Sequence, residues 1–200
     1  MKKLMMILLI GCALVISQGF SKVVLADGFG GSDEGTPLRK LAGTYAFTGH
    51  GSLAVCLDKN PPFPLATCGS PGSMVVALTL QDVGGETFDA EGNECATVTE
   101  TEADFPISAS STTVIVAHLV GKLTSYDPTT GTGDGSFTGY VGGQCHDATF
   151  DSKGVTVVST GTTHFAVSNR GKRIDFVVTS ITNSAGALGG FSISGTALRE

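Results

Sequence analysis

The residues from Leu38 onward predict an all-β domain: a single antiparallel, mostly up-and-down β-barrel of about eight or more strands, with a β-sandwich as the alternative. Three observations carry this. Val, Ile, Thr, Phe and Tyr recur in short runs whose apolar members alternate with polar ones, the period of half-buried strands. Gly, Asn, Asp and Ser break those runs at short intervals, as hairpin turns require. No stretch keeps a helical period with caps, and Arg39 to Ala42 offers one turn at most. Closure removes the exposed edges that an open sheet must protect. Glycines inside strand-like runs (Gly121, Gly139, Gly161, Gly195) suit the bends of a barrel.

Taken in order, residues 1–26 read as a signal peptide. Lys2 and Lys3 precede an apolar run from Leu4 to Ile16, and Val24-Leu25-Ala26 fits the cleavage rule, so the mature chain would start at Asp27. The expected location is periplasmic or extracellular. The alternative is a lipoprotein anchored at Cys12, since Leu9-Ile10-Gly11-Cys12 matches a lipobox. No stable membrane anchor is expected otherwise, because the apolar run is shorter than the ~20 residues of a spanning helix. Residues 27–37, DGFGGSDEGTP, read as a flexible acidic arm, and residues 38–200 as a single barrel domain.

Within that domain, alternation marks the strands. Tyr45 and Phe47 share a face in Gly43 to Gly49, as do Met74, Val76, Leu78 and Leu80 in the next run. Val155, Val157, Phe165 and Val167 oppose Thr156, Thr160, Thr162 and His164. Ile174, Phe176 and Val178 share a face, and so do Phe191, Ile193 and Ala197. Asn169 to Gly171 and Gly131 to Gly135 are expected hairpin turns.

Thr113 to Leu123 breaks the pattern, being apolar on both faces: Ile115, Ala117, Leu119 and Leu123 on one, Val114, Val116 and Val120 on the other. The second face must meet a covering piece of the chain, a ligand cavity or another subunit. Val114, Val116, His118, Val120 and Tyr140 are therefore the candidates for lining a ligand cavity. The three valines equally offer a face for self-association.

Removing the leader leaves nine basic residues against 18 acidic ones, a formal charge of −9. Arg170, Lys172 and Arg173 are the only basic group and read as a solvated turn. Nucleic acid is thus not an expected partner. It also leaves four of five cysteines, an even number that reads as two disulfides in an exported chain. Three pairings are open. The Pro61, Pro62 and Pro64 segment favours Cys56–Cys68 as a short stapled loop, which leaves Cys95–Cys145 to tie distant strands.

Catalytic and metal motifs are sparse. There is no Cys-x-x-Cys, no His pair at metal spacing and no Gly-x-Ser-x-Gly elbow, so neither a metal nor a cofactor is implied. Thr129 to Gly135 lacks the lysine of a phosphate loop. Asp89, Glu91 and Glu94 read as a solvated turn rather than a calcium loop. Cys145, His146 and Asp147 are consecutive and point to opposite faces of a strand, so they cannot act together.

Leu41-Ala42-Gly43-Thr44-Tyr45 resembles the entry to the first strand of calycin-type barrels, the lipocalin and avidin superfamily. In that superfamily a Gly-x-Trp opens the strand and a late arginine packs over the ring. Tyr45 stands where the Trp would be, and Arg199 could supply the cation. The resemblance implies a barrel closed by an aromatic–arginine latch. It transfers no ligand, because the middle Thr-Asp-Tyr motif is missing and the chain has no Trp. The functional expectation is an exported barrel that binds a small apolar molecule without catalysis. The alternatives are a surface-interaction protein with no ligand cavity and a small isomerase-like barrel enzyme.

Overall fold

The structure, a computed structural model, describes residues 37–60, 64–105, 112–183 and 186–200. The leader, most of the acidic arm, Pro61 and Pro62 lie outside the described residues. A 3-10 turn (Pro37–Leu41) leads into β1 (Gly43–Asp58), β2 (Ser73–Phe88), β3 (Asn93–Phe105), β4 (Thr112–Asp127) and β5 (Thr132–Val141). A small hairpin of β6 (Gln144–His146) and β7 (Thr149–Asp151) follows, then β8 (Thr156–Ser168), β9 (Arg173–Asn183) and β10 (Leu188–Arg199). Eight strands form a closed antiparallel barrel in the order β1-β2-β3-β4-β5-β8-β9-β10, and β10 returns to β1. Each strand pairs with its predecessor around the ring, apart from the inserted β6–β7 hairpin. The expected fold class holds, and the sandwich alternative does not.

Period-two alternation fills the interior. Phe47, Leu53, Val55, Val76, Leu78, Leu80, Val98, Leu119 and Ile193 point inward and form the larger core. Burying a side chain of this size contributes about 1.5–3 kcal/mol. Of the glycines expected at bends, Gly161 and Gly195 have Phe137 and Phe176 where a Cβ would stand, and Gly133, not among those expected, has Phe165. Each missing side chain is thus replaced by a cross-strand ring.

Three expectations need correction. Thr132 to Gly135 belongs to β5, and the turn lies before it, closed by the Gly131 N–H donating to Asp127 O at 2.8 Å. Val157 does not share the inward face of β8: it is exposed while Val158 is buried. The cause is a register shift, in which Gly139 pairs with Ser159 and Tyr140 with Val157. One extra residue in a strand flips every side chain beyond it. Phe191 keeps the phase of Ile193 and pairs with the buried Leu53, as expected, but it is 37% exposed rather than buried.

One end of the barrel is closed by the latch that the sequence suggests. Leu41, Phe88, Leu123, Phe165, Ile174 and Ala197 pack around Tyr45, which is fully buried. The Tyr45 hydroxyl lies 2.8 Å from Leu41 O and 3.1 Å from Gly171 O, so it ties the 3-10 turn to the β8–β9 turn. The Arg199 guanidinium stands 6.0 Å from the centre of the Tyr45 ring and donates to Ala42 O. Gly43 makes this approach possible. Its φ is +150°, and a Cβ there would lie 2.8 Å from Arg199 Nε. Burial is the main cause that raises the Tyr45 pKa, and the nearby arginine opposes it.

Both disulfides form as favoured, Cys56–Cys68 and Cys95–Cys145. The first staples the β1–β2 connection. The second ties the β6–β7 hairpin to the outer face of β3.

Candidate functional site

Two regions of the barrel depart from a plain packed β domain, one inside and one outside. The inner one lies on β2 and β3. Asp82 and Glu86 fall in phase with Leu78, Leu80 and Phe88. Glu94, Glu100 and Glu102 fall in phase with Ala96 and Val98. Asp82 pairs directly with Glu100, and Glu102 with Leu80. Asp82, Glu86, Glu100 and Glu102 are all buried. Carboxyl groups are rarely placed in an apolar interior, because desolvating the charged form is costly.

Glu86 and Glu94 form a hydrogen-bonded pair near the latched end. A hydrogen bond between two carboxyl groups requires a proton on one of them. Burial is the main cause that holds the Glu86 carboxyl well above the usual range, reinforced by the charge of Glu94. Burial likewise pushes Glu94 up to about 7, against the hydrogen bond from Glu86. Glu94 reaches this place because β4 has a glycine opposite it: a Cβ on Gly121 would lie 2.5 Å from Glu94 Oε2. A cavity of about 50 Å³ adjoins the pair, lined also by Phe47, Phe88, Phe137 and Phe165. Such a space holds a few water molecules. Chemically, the pair can store and exchange a proton.

The sequence reading placed Glu94 with Asp89 and Glu91 in a solvated loop. Asp89 does shape that turn, accepting the N–H groups of Glu91 at 3.0 Å and Asn93 at 2.7 Å. Glu94 instead begins the inward face of β3. The signal was available, since Glu94, Ala96, Val98, Glu100 and Glu102 share one parity.

The outer region is the second face of β4. Inward positions on this strand are Ile115, Ala117, Leu119 and Leu123, so Val114, Val116, His118 and Val120 point to the outer wall. Val114 is 63% exposed and Val116 56%. These valines are therefore corrected from cavity lining to outer surface. Tyr140 of β5 pairs with His118 and shares the outer face, so it too does not line the interior. The reason is parity alone: once Ala117 and Leu119 are inside, their neighbours must be outside.

The β6–β7 hairpin covers the lower part of this face. Phe150 of β7 packs against Tyr140 at 4.8 Å and His118 at 5.7 Å between ring centres. His118 Nδ1 lies 3.1 Å from Thr97 Oγ1 and 3.7 Å from Cys145 Sγ. Burial lowers the His118 pKa. His118 is thus a covered histidine with a hydrogen-bond partner, and its cover is an external hairpin. Above it, pairing between β4 and β5 begins only at His118, whereas β3 pairs with β4 up to Thr112. Among the described residues, Thr112 to Ala117 has a neighbour strand on one side only.

Compared with known proteins, the chain matches no family model, no curated protein and no solved structure.

The remaining candidates stay apart. His164 pairs with Asp134 at 2.9 Å on the exposed outer face of β8 and β5, and hydrogen bonds from His164 and Ser125 hold the Asp134 carboxyl below its usual range. Arg173 pairs with Asp175 rather than forming a basic patch. Among the described residues, no group of three His, Cys, Asp or Glu side chains is arranged to hold a metal ion.

Proposed function

We propose that this chain is an exported, non-catalytic barrel that works through its outer wall, with the upper half of β4 as a contact face for a second copy of itself. The observation that carries this reading is the row geometry around β4. Val83, Thr99 and Val116 pair across β2, β3 and β4, and Gln81, Thr101 and Val114 form the next row. These six outward residues carry no charge, in a chain of formal charge −6. Two acidic copies repel unless they meet on a neutral surface. Among the described residues β4, at the edge of the panel, has no neighbour strand on its other side from Thr112 to Ala117, so two copies can pair it antiparallel about a two-fold axis. The exposed valines then bury each other.

Export is supported by the two disulfides and by the leader's composition. Among the described residues no helix is long and apolar enough to cross a membrane. The Tyr45–Arg199 latch and the next-neighbour ring support a place among calycin-type barrels. Binding of a small apolar molecule inside the barrel has less support. The cavity beside Glu86 is about 50 Å³, whereas pockets for drug-sized ligands measure roughly 300–1,000 Å³. An isomerase-like activity would draw on the Glu86–Glu94 proton, but the same small space leaves little room for a substrate.

Sedimentation equilibrium of the Val116→Asp variant tests the reading. The wild-type protein is expected to dimerise with rising concentration. The variant is expected to stay monomeric with an unchanged melting temperature, because position 116 is exposed in one copy and desolvated in two. A wild-type protein that remains monomeric at millimolar concentration would refute self-association through this face.

A further inference from the structure

We propose that Cys145 is a thiol-exchange site, at which a low-molecular-weight monothiol opens the Cys95–Cys145 bond with His118 assisting, and so frees the β6–β7 hairpin from the barrel wall. This inference is independent of self-association. It starts from an asymmetry between the two sulfurs. Cys95 is 2% exposed on the outer face of β3, beneath the hairpin. Cys145 is half-buried on the hairpin itself. An incoming thiolate can therefore reach Cys145 and not Cys95.

The surroundings of Cys145 suit the chemistry. Its Sγ lies 3.7 Å from His118 Nδ1 and 3.4 Å from the carbonyl oxygen of Ala96. In the first exchange the thiolate forms a bond to Cys145 Sγ. The Cys95–Cys145 bond breaks, and its electron pair leaves on Cys95 Sγ, which then takes a proton from water. In the second exchange another thiolate attacks the outer sulfur of the mixed disulfide. Cys145 departs as a thiolate beside the imidazole, which donates a hydrogen bond to it, and the thiolate takes its proton from water. The sum oxidises two thiols to one small disulfide and reduces the protein disulfide to two cysteines. Negative charge builds on the attacking and leaving sulfurs, so a donor beside Cys145 steadies the incoming thiolate in the first exchange and the departing Cys145 in the second. The reduced Cys145 S–H finds a ready acceptor in Ala96 O.

The fold supplies both a consequence and a control. The hairpin is held by this disulfide and by the packing of Phe150 on His118 and Tyr140. Gly143, with φ +82°, is shaped to that packing, since a Cβ there would lie 2.5 Å from the Phe150 ring. Opening the bond leaves the aromatic contact and the approach of Cys145 Sγ to Ala96 O to hold the hairpin. The control is Cys56–Cys68, which has the same exposure asymmetry: Cys56 is fully buried and Cys68 half-buried. No histidine contacts it among the described residues.

The test uses the oxidised full chain with excess glutathione, acid-quenched at intervals and mapped by mass spectrometry. Cys145 is expected to carry the first glutathione adduct, with its bond opening about tenfold faster than Cys56–Cys68. His118→Gln should remove that advantage. Phe150→Ala, which loosens the hairpin but keeps the imidazole, should leave the opening rate unchanged or raise it. Equal opening rates for the two wild-type disulfides would overturn the proposal, as would a first adduct on Cys95. A Phe150→Ala variant slower than wild type would also overturn it, because packing rather than the imidazole would then govern exchange.

Discussion

Tyr45→Ala is expected to cost about 3–5 kcal/mol, the range for deleting a large buried aromatic. Three links break together. The ring leaves the cluster formed with Phe88, Phe165 and Ile174, including its edge-on contact with Phe88 at 5.6 Å. The hydroxyl no longer joins Leu41 O to Gly171 O. Arg199 loses the ring beneath it while remaining tied to Ala42 O. Tyr45→Phe separates these contributions. It keeps the packing and strands two carbonyl groups, so its expected cost is about 1–3 kcal/mol. Urea denaturation of the two variants measures both numbers. Equal losses would mean that the hydroxyl rather than the ring holds this end closed.

Stability is expected to fall as the pH rises from about 5 to 8. Glu86 and Glu94 are both held above the ordinary carboxylate range in the folded barrel, mainly by burial. The folded state therefore keeps a proton that the unfolded chain releases. Such a contribution is fully present below the unfolded value and is lost as the pH passes the folded one. For Glu94 the window runs from 4.5 to about 7. At about 1.4 kcal/mol per unit, this is up to ~3 kcal/mol for the pair's shared proton. His118, which burial lowers, opposes this slope below the unfolded histidine value, and Asp175 acts in a separate window. Burial raises its carboxyl, but hydrogen bonds from Arg173 and Thr196 pull it further down, so its contribution is lost only as the pH falls below the unfolded Asp value. Melting curves of wild type and Glu94→Gln across this range provide the check. The variant should lose most of the slope between pH 5 and 8. A wild-type stability that rises over that range would contradict the shared proton.

Much of the fold was legible because period two and turn residues report directly on local geometry. Tyr45, Phe47, Leu78 and Ile193 fell on the expected face, and the proline-rich segment pointed to the correct disulfide. The misplacements arose where local rules give way to pairing with a neighbour. Val157 changed face because of a register shift set by β5, and no pattern within β8 announces it. The cavity candidates failed for a different reason. A two-sided apolar strand says that both faces are covered or sticky, but not which one is the interior. Val114 and Val116 lie on the outer wall, and His118 is roofed by a hairpin whose course depends on Cys145. The inner carboxyl groups were readable by parity alone. Glu94 was missed because acidic residues near a turn are usually solvated, and the chain here turns one residue before it.

Among the described residues β4 has an uncharged edge from Thr112 to Ala117 with no neighbour strand, which we propose a second copy covers. Hydrogen exchange of the backbone amides from Thr112 to Ala117, followed as a function of protein concentration, tests it most directly. Pairing predicts that these amides become protected as dimer forms, and that amides of β1 and β9 do not change. The Val116→Asp variant should remain unprotected at every concentration. Protection that is independent of concentration would contradict the claim, and so would a wild-type dimer whose β4 amides exchange as fast as those of the monomer.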